Sequence, residues 1–304
     1  MNDELLIKKM VDSVGDIPSQ AEVFAVRQYS LDDMERRTKR FLYTIGESYG
    51  LSLDSSDWVM QQGQTLVRLP LGARAKVYHA SGAMKLVIGL NPMESLFKKV
   101  EEREELMRLV EETANRLNIR EWVGNNESLH FERLWQIKAA AADSTGKVVE
   151  PVLCRVVGAY RHFVGELPVW GAASVAIKLA GEGTLDSVAI QVRETTGEVI
   201  DQAQIIRPDQ AAHQIFLQLS SLMGKLKIPI SEVAAPQWMR FGYLSLPKRK
   251  SQRLLAPVYV AAIEIEGQEE AQAYLFVTSA TEKPYLPLER NGSEASPALL
   301  DRTD

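Results

Sequence analysis

The chain has 304 residues, 45% hydrophobic and 25% charged, which is ordinary globular usage and enough length for two or three domains. Its 40 acidic and 35 basic residues give a net charge of −5 and are mixed along the chain, which argues against an extended basic surface and against nucleic acid as a partner. The single cysteine, Cys154, rules out an intrachain disulfide or a cysteine zinc cluster, and its neighbours Val152, Leu153, Val156 and Val157 place it in a core.

Residues 1–20 carry Asp3, Glu4, Lys8, Lys9, Asp12 and Asp16 and lack the apolar centre of a signal peptide. No later window offers the ~18 uninterrupted apolar residues of a membrane span. The chain therefore reads as cytoplasmic, with an extracytoplasmic location as the alternative if an N-terminal anchor has been removed.

Asp3 to Val14 has the apolar spacing of a short amphipathic helix, closed by Gly15-Asp16-Ile17-Pro18. A strand is predicted from Glu22 to Tyr29. Ser30 and Asp33 then form a capping pattern, and Leu31, Met34, Leu42, Ile45 and Tyr49 mark one face of a helix over 31–49 that ends at Gly50. Short β-type runs at 58–61, 65–69, 75–79 and 84–89 follow as a small meander. Asn91-Pro92-Met93-Glu94 carries helix-start signals, which predicts a helix running to about Leu117.

A longer meander is predicted at 129–142, 151–164, 171–179 and 185–195, with another strand near 198–206. Arg207-Pro208-Asp209 opens a further helix ending at Gly224, and strands follow at 237–246, 254–266 and 271–279. The pattern is an α+β fold in which antiparallel meanders each pack against a helix, as repeated helix-plus-meander units. The segments are an N-terminal amphipathic piece (1–20), a small α+β domain (21–90), a helix with a long meander (91–206), a helix with three strands (207–280) and a disordered tail (281–304).

The run from Tyr160 to Gly171 lies between two strands, and Gly165 and Gly171 bracket a Leu-Pro-Val corner suited to a sheet bend. The four histidines fall on separate elements, so no metal site is predicted. His130 and Glu132 share a strand face as a polar pair. His162, next to Arg161, reads as an edge-strand histidine or as an acid/base group. No nucleophile elbow, phosphate loop or dinucleotide fingerprint occurs, and Gly181-Glu182-Gly183 is a hairpin turn. Lys248-Arg249-Lys250 with Arg253 is a dense basic cluster, either a charged hairpin tip or a dock for an acidic partner. Trp135, Tyr160, Trp170, Trp238 and Tyr243 lie on strands or their ends, as core residues or as the walls of a peptide groove.

Tyr160, Arg161, Gly165, Leu167, Pro168, Val169 and Gly171, with the Gly181/Gly183 turn and Ser187-Val188, resemble the strand and hairpin of the PepSY and thermolysin-propeptide families. The 21–90 region, with its strand, helix ending in Gly50 and Gly82 hairpin, is similar to YycH- and YycI-like sensor domains. The resemblance implies a bacterial module without catalytic residues that inhibits, chaperones or senses another protein.

The leading expectation is therefore a non-catalytic binding or regulatory module without a cofactor, taking a protein or peptide through Tyr160, Trp170, Trp238 and Tyr243. The rival is a small-molecule enzyme with His162 as acid/base, Arg161 as anion anchor and Glu132 nearby.

Overall fold

A computed structural model describes residues 3–50, 57–91, 94–98, 102–140, 146, 148, 150–172, 174–226, 234–266 and 271–288. The chain begins with α1 (Asp3–Asp12), β1 (Gln20–Val26) and α2 (Leu31–Tyr49), then β2 (Asp57–Gln61), β3 (Gln64–Arg68), β4 (Arg74–Tyr78) and β5 (Ala83–Val87). It continues with α3 (Arg103–Arg116), β6 (Glu127–Ala139), β7 (Val152–Val164), β8 (Leu167–Trp170), β9 (Val175–Leu179) and β10 (Leu185–Ile190). The rest comprises β11 (Thr195–Gln204), α4 (Pro208–Leu226), β12 (Ala234–Leu244), β13 (Leu254–Leu255), β14 (Pro257–Glu266) and β15 (Ala271–Ser279). The fold is α+β, with antiparallel pairing dominant.

Two compact units form. The larger holds Val26–Thr196 and Ser245–Arg253, and the smaller holds Met1–Ala25, Gly197–Leu244 and Leu254–Asp304. The expected boundary at 90/91 does not separate these units, because a ladder between β5 and β10 runs across it.

The larger unit is one antiparallel sheet in the order β6-β7-β9-β10-β5-β4-β3-β2, with β8 pairing on the end of β7. It consists of two similar halves, α2 followed by β2 to β5 and α3 followed by β6, β7, β9 and β10. Their last strands meet in the middle, Met84 opposite Ile190 and Val87 opposite Ser187. Each half has an apolar stripe on its helix and a matching apolar row on its strands, and neither can bury that surface without the other layer.

Local chemistry sets the helix ends. Ser30 and Asp33 make the expected reciprocal capping bonds on α2, and Gly50 closes it in the left-handed region at φ 66°. Phe41, Leu42 and Ile45 of α2 and Leu106, Val110 and Ala114 of α3 pack over Val67, Val77, Leu86, Val156, Ile177 and Val188. Gly158 is needed under α3, since a Cβ there would lie 2.1 Å from Val110 Cγ1.

Both helices thus cover the same sheet face. In the smaller unit, β12, β14 and β15 form an antiparallel sheet whose helices α1 and α4 bury Leu6, Met10, Ile215, Leu219 and Met223. Strands β11, β1 and β13 form a separate three-stranded sheet.

Two further sequence expectations change. The helix predicted from Asn91 begins only at Arg103. The Asn91 N–H does bond the Glu94 carboxylate at 3.0 Å, yet Ser95 takes a positive φ and the carbonyls of Asn91 and Glu94 accept from Arg155 instead of extending a helix. The tail predicted from Thr281 is packed as far as it is described: Thr281 bridges Ile205, Leu286 is buried, and Tyr285 bonds Asp201. Residues 289–304 lie outside the described residues.

Candidate functional site

Alternation along β7 sends Arg161 and His162 to opposite faces of the sheet. His162 points toward the helix side and is wholly buried, with Nε2 3.0 Å from Glu127 Oε2. Glu127 also accepts the Thr195 N–H at 2.7 Å and the Gly124 N–H at 3.0 Å. Burial raises the pKa of this carboxyl, but its hydrogen bonds to His162, Thr195 and Gly124 outweigh that and hold it below the usual range. The ensemble is a sealed polar staple joining β6, β7 and the chain after β10, and it gives His162 no path to a ligand.

Arg161, on the other face, is not a free anion anchor. Its guanidinium donates to Glu132 Oε1 at 2.8 Å and to the Val169 and Gly171 carbonyls, and it stacks 5.2 Å from the Trp170 ring. Glu132 reaches it from a bulge between Phe131 and Arg133. The corner between β7 and β8 forms as expected, with Gly165 at φ 57° and Phe163 opposite Pro168. His130 and Glu132 do share a face, but His130 packs edge-on against Phe163 and bonds Ser128.

The aromatic candidates are mostly structural. Tyr160 is buried edge-to-face against Phe131, and burial pushes its hydroxyl up to about 12. Tyr243, in the smaller unit, is buried against Phe24 and donates its hydroxyl to the Glu22 carbonyl. Trp170 is half-buried beneath Arg161, and Trp238 is half-buried beside a bulge in β12. An aromatic at a strand end is amphipathic, so it can look like a binding wall while packing as core.

The surface that remains is the sheet face opposite α2 and α3. Register places on it Val59, Leu66, Val87, Val157 and Trp135, all half-exposed, together with exposed Ile137. Between them stand Arg68, Arg74, Lys76, Lys85, Lys178 and Arg133. The carboxylates on this face are committed: Asp57 pairs with Arg68, Asp186 with Arg155 and Lys178, and Glu132 with Arg161.

Two cross-strand pairs carry like charge, Arg68 opposite Arg74 and Lys76 opposite Lys85. Side chains directly opposite lie ~5 Å apart at Cβ, and like charges there are destabilising.

The basic loop joins this face. Arg193, buried in the connection between β10 and β11, donates to the carbonyls of Ala80, Leu246, Pro247 and Lys250 and so clamps the loop to the β4–β5 hairpin. Desolvation lowers Arg193 to about 10, still far above neutral pH. Lys248 Nζ lies 5.1 Å from the ring centre of Tyr78, the β4 residue next on this face after Lys76. Arg249, Lys250 and Arg253 are exposed.

The charges are thus less evenly distributed than composition implied. The signal was present in the sequence: no acidic residue occurs between Asp57 and Glu94. Among the described residues no cluster of histidine, cysteine or carboxylates has the makings of a metal site, and no helix is long and apolar enough to cross a membrane.

No family model matches the sequence, and no curated protein matches it. The fold is similar to the crystal structure of an uncharacterized protein from Eubacterium rectale, at 11% identity and a TM-score of 0.52, over 95% of this chain and 99% of that one. At that identity the likeness concerns the fold alone.

Proposed function

We propose that the protein is a non-catalytic binding module that engages another protein or a peptide, in a regulatory role, through the helix-free face of the larger unit's sheet. The observation that carries this reading is the composition of that face. An antiparallel sheet turned to water normally presents polar residues, whereas here Val59, Leu66, Val87, Val157, Trp135 and Ile137 interrupt the charges. Apolar side chains left partly exposed among charged ones are a feature of surfaces that dock other molecules.

The resemblance to PepSY and to the YycH and YycI regulators points the same way, since those domains act by binding partners. The acid/base alternative finds no support in the surroundings of His162, which is sealed and paired with Glu127.

The test is site-specific photocrosslinking in the protein's own cells, with a photoreactive phenylalanine replacing Val157 on the open face or Tyr43 on the exposed side of α2. A discrete protein adduct at position 157 and none at 43 is expected. Equal or absent adducts at both positions refute the reading.

A further inference from the structure

We propose that the occupant of this face is an acidic polypeptide segment, held by a cationic field that runs from β3 across β4 and β5 to the Lys248–Arg253 loop. This rests on the binding reading above and names its partner class.

The field has a structural cost, and that cost is the strongest reason to assign it a role. Natural sheets place opposite charges across from one another, yet here Arg68 faces Arg74 and Lys76 faces Lys85 on adjacent rungs of three consecutive strands. Asp57 relieves Arg68 at 3.5 Å, while Arg74 and Lys76 have no carboxylate within ion-pair distance among the described residues. A chain of net charge −5 has acidic residues to spare for those positions. Arg193 then spends its buried guanidinium on four backbone carbonyls, which holds Lys248, Arg249 and Lys250 against the same end of the sheet.

Chemistry selects the partner. Clustered cations on a protein that is acidic overall call for an anionic ligand. Sheet surfaces that read single-stranded nucleic acid stack bases on exposed aromatic rings, and the side chains between these cations are Leu66, Val87 and Ala189. Among the described residues the ring within the field is Tyr78, which is buried and capped by Lys248, and Trp135 stands outside it on β6. Aliphatic side chains between lysines and arginines instead match a segment in which glutamates or aspartates alternate with aliphatic anchors.

The probe is a fluorescein-labelled peptide in which two glutamates alternate with one leucine, long enough to cross four strands at ~4.8 Å each. Anisotropy is measured against it, against an oligothymidine of equal charge and against phosphatidylserine vesicles. The peptide is expected to bind most tightly, and more weakly as salt rises.

Lys76→Glu is the decisive variant. It places opposite charges across from one another, so its melting temperature should equal or exceed the parent's while the peptide Kd rises at least tenfold. The exposed-loop variant Lys248→Ala/Arg249→Ala/Lys250→Ala should also weaken binding at least tenfold without loss of fold. Preference for the oligonucleotide or the vesicles overturns the assignment to an acidic polypeptide, as does a peptide Kd unchanged by both variants or an absence of peptide binding at low salt. Each of these outcomes leaves the crosslinking test of the binding reading standing on its own.

Discussion

Replacing Glu127 with alanine should be among the most damaging single changes in the larger unit. Its carboxylate is buried and accepts from His162 Nε2 at 3.0 Å, Gly124 N–H at 3.0 Å and Thr195 N–H at 2.7 Å. Alanine leaves all three groups buried without that acceptor. A hydrogen bond to a charged group contributes ~1.5–3 kcal/mol, and these three are not additive because they share one acceptor group. Removing one side of a buried pair costs ~3–5 kcal/mol, which sets the expected loss. For a unit of this size that corresponds to a melting temperature lower by ~6–20 °C.

Urea titration followed by tryptophan fluorescence gives the stability difference, and a double-mutant cycle with His162→Leu separates the histidine from the two backbone donors. The pH dependence has a definite sign. A carboxyl depressed in the folded state contributes stability that is present above its ordinary value of 4.5 and is lost as pH falls through the lower folded value. The gap between parent and variant should therefore be full at neutral pH and narrow in acid below pH 4.5. A loss under ~1 kcal/mol at pH 7, below the usual cost of orphaning one buried donor, or a gap that widens in acid, refutes the staple.

Gly165→Val should destabilise by ~1–3 kcal/mol because the position sits at φ 57° with open space around it, so backbone strain is the whole effect; an unchanged urea midpoint refutes this. Arg193→Met should release the segment 245–253, seen as rapid proteolysis after Lys248, Arg249 or Lys250 while the helix signal by circular dichroism is retained; protection equal to the parent's shows that the clamp is dispensable.

Elements whose ends are set by neighbouring residues could be read directly from the sequence. The 31–49 helix is one, since Ser30, Asp33 and Gly50 supply its caps within the helix itself. The Gly165 corner is another. The stretch after Asn91 shows the limit: its capping bond with Glu94 exists, but Arg155, sixty-four positions from Asn91, takes the carbonyls that a helix would use. The burial of Tyr160 and Tyr243 was hidden in the same way. Tyr160 is buried because Phe131 and α3 meet it, and nothing within its own strand states that.

The cationic field shows how far a one-dimensional reading reaches. Arg68, Arg74, Lys76 and Lys85 each occupy the solvent phase of an alternating strand, which is where a charged residue in a half-buried sheet belongs. Taken singly, every one is a solvated surface residue. Only the register of β3, β4 and β5 makes them neighbours, and only the long-range return of the chain at 245–253 brings Lys248 to Tyr78. Once they are neighbours, solubility does not account for them, because alternating signs would keep the same face wet at lower electrostatic cost. A cluster that opposes the stability of its own sheet, in a chain with carboxylates to spare, is better explained by charge that arrives from outside.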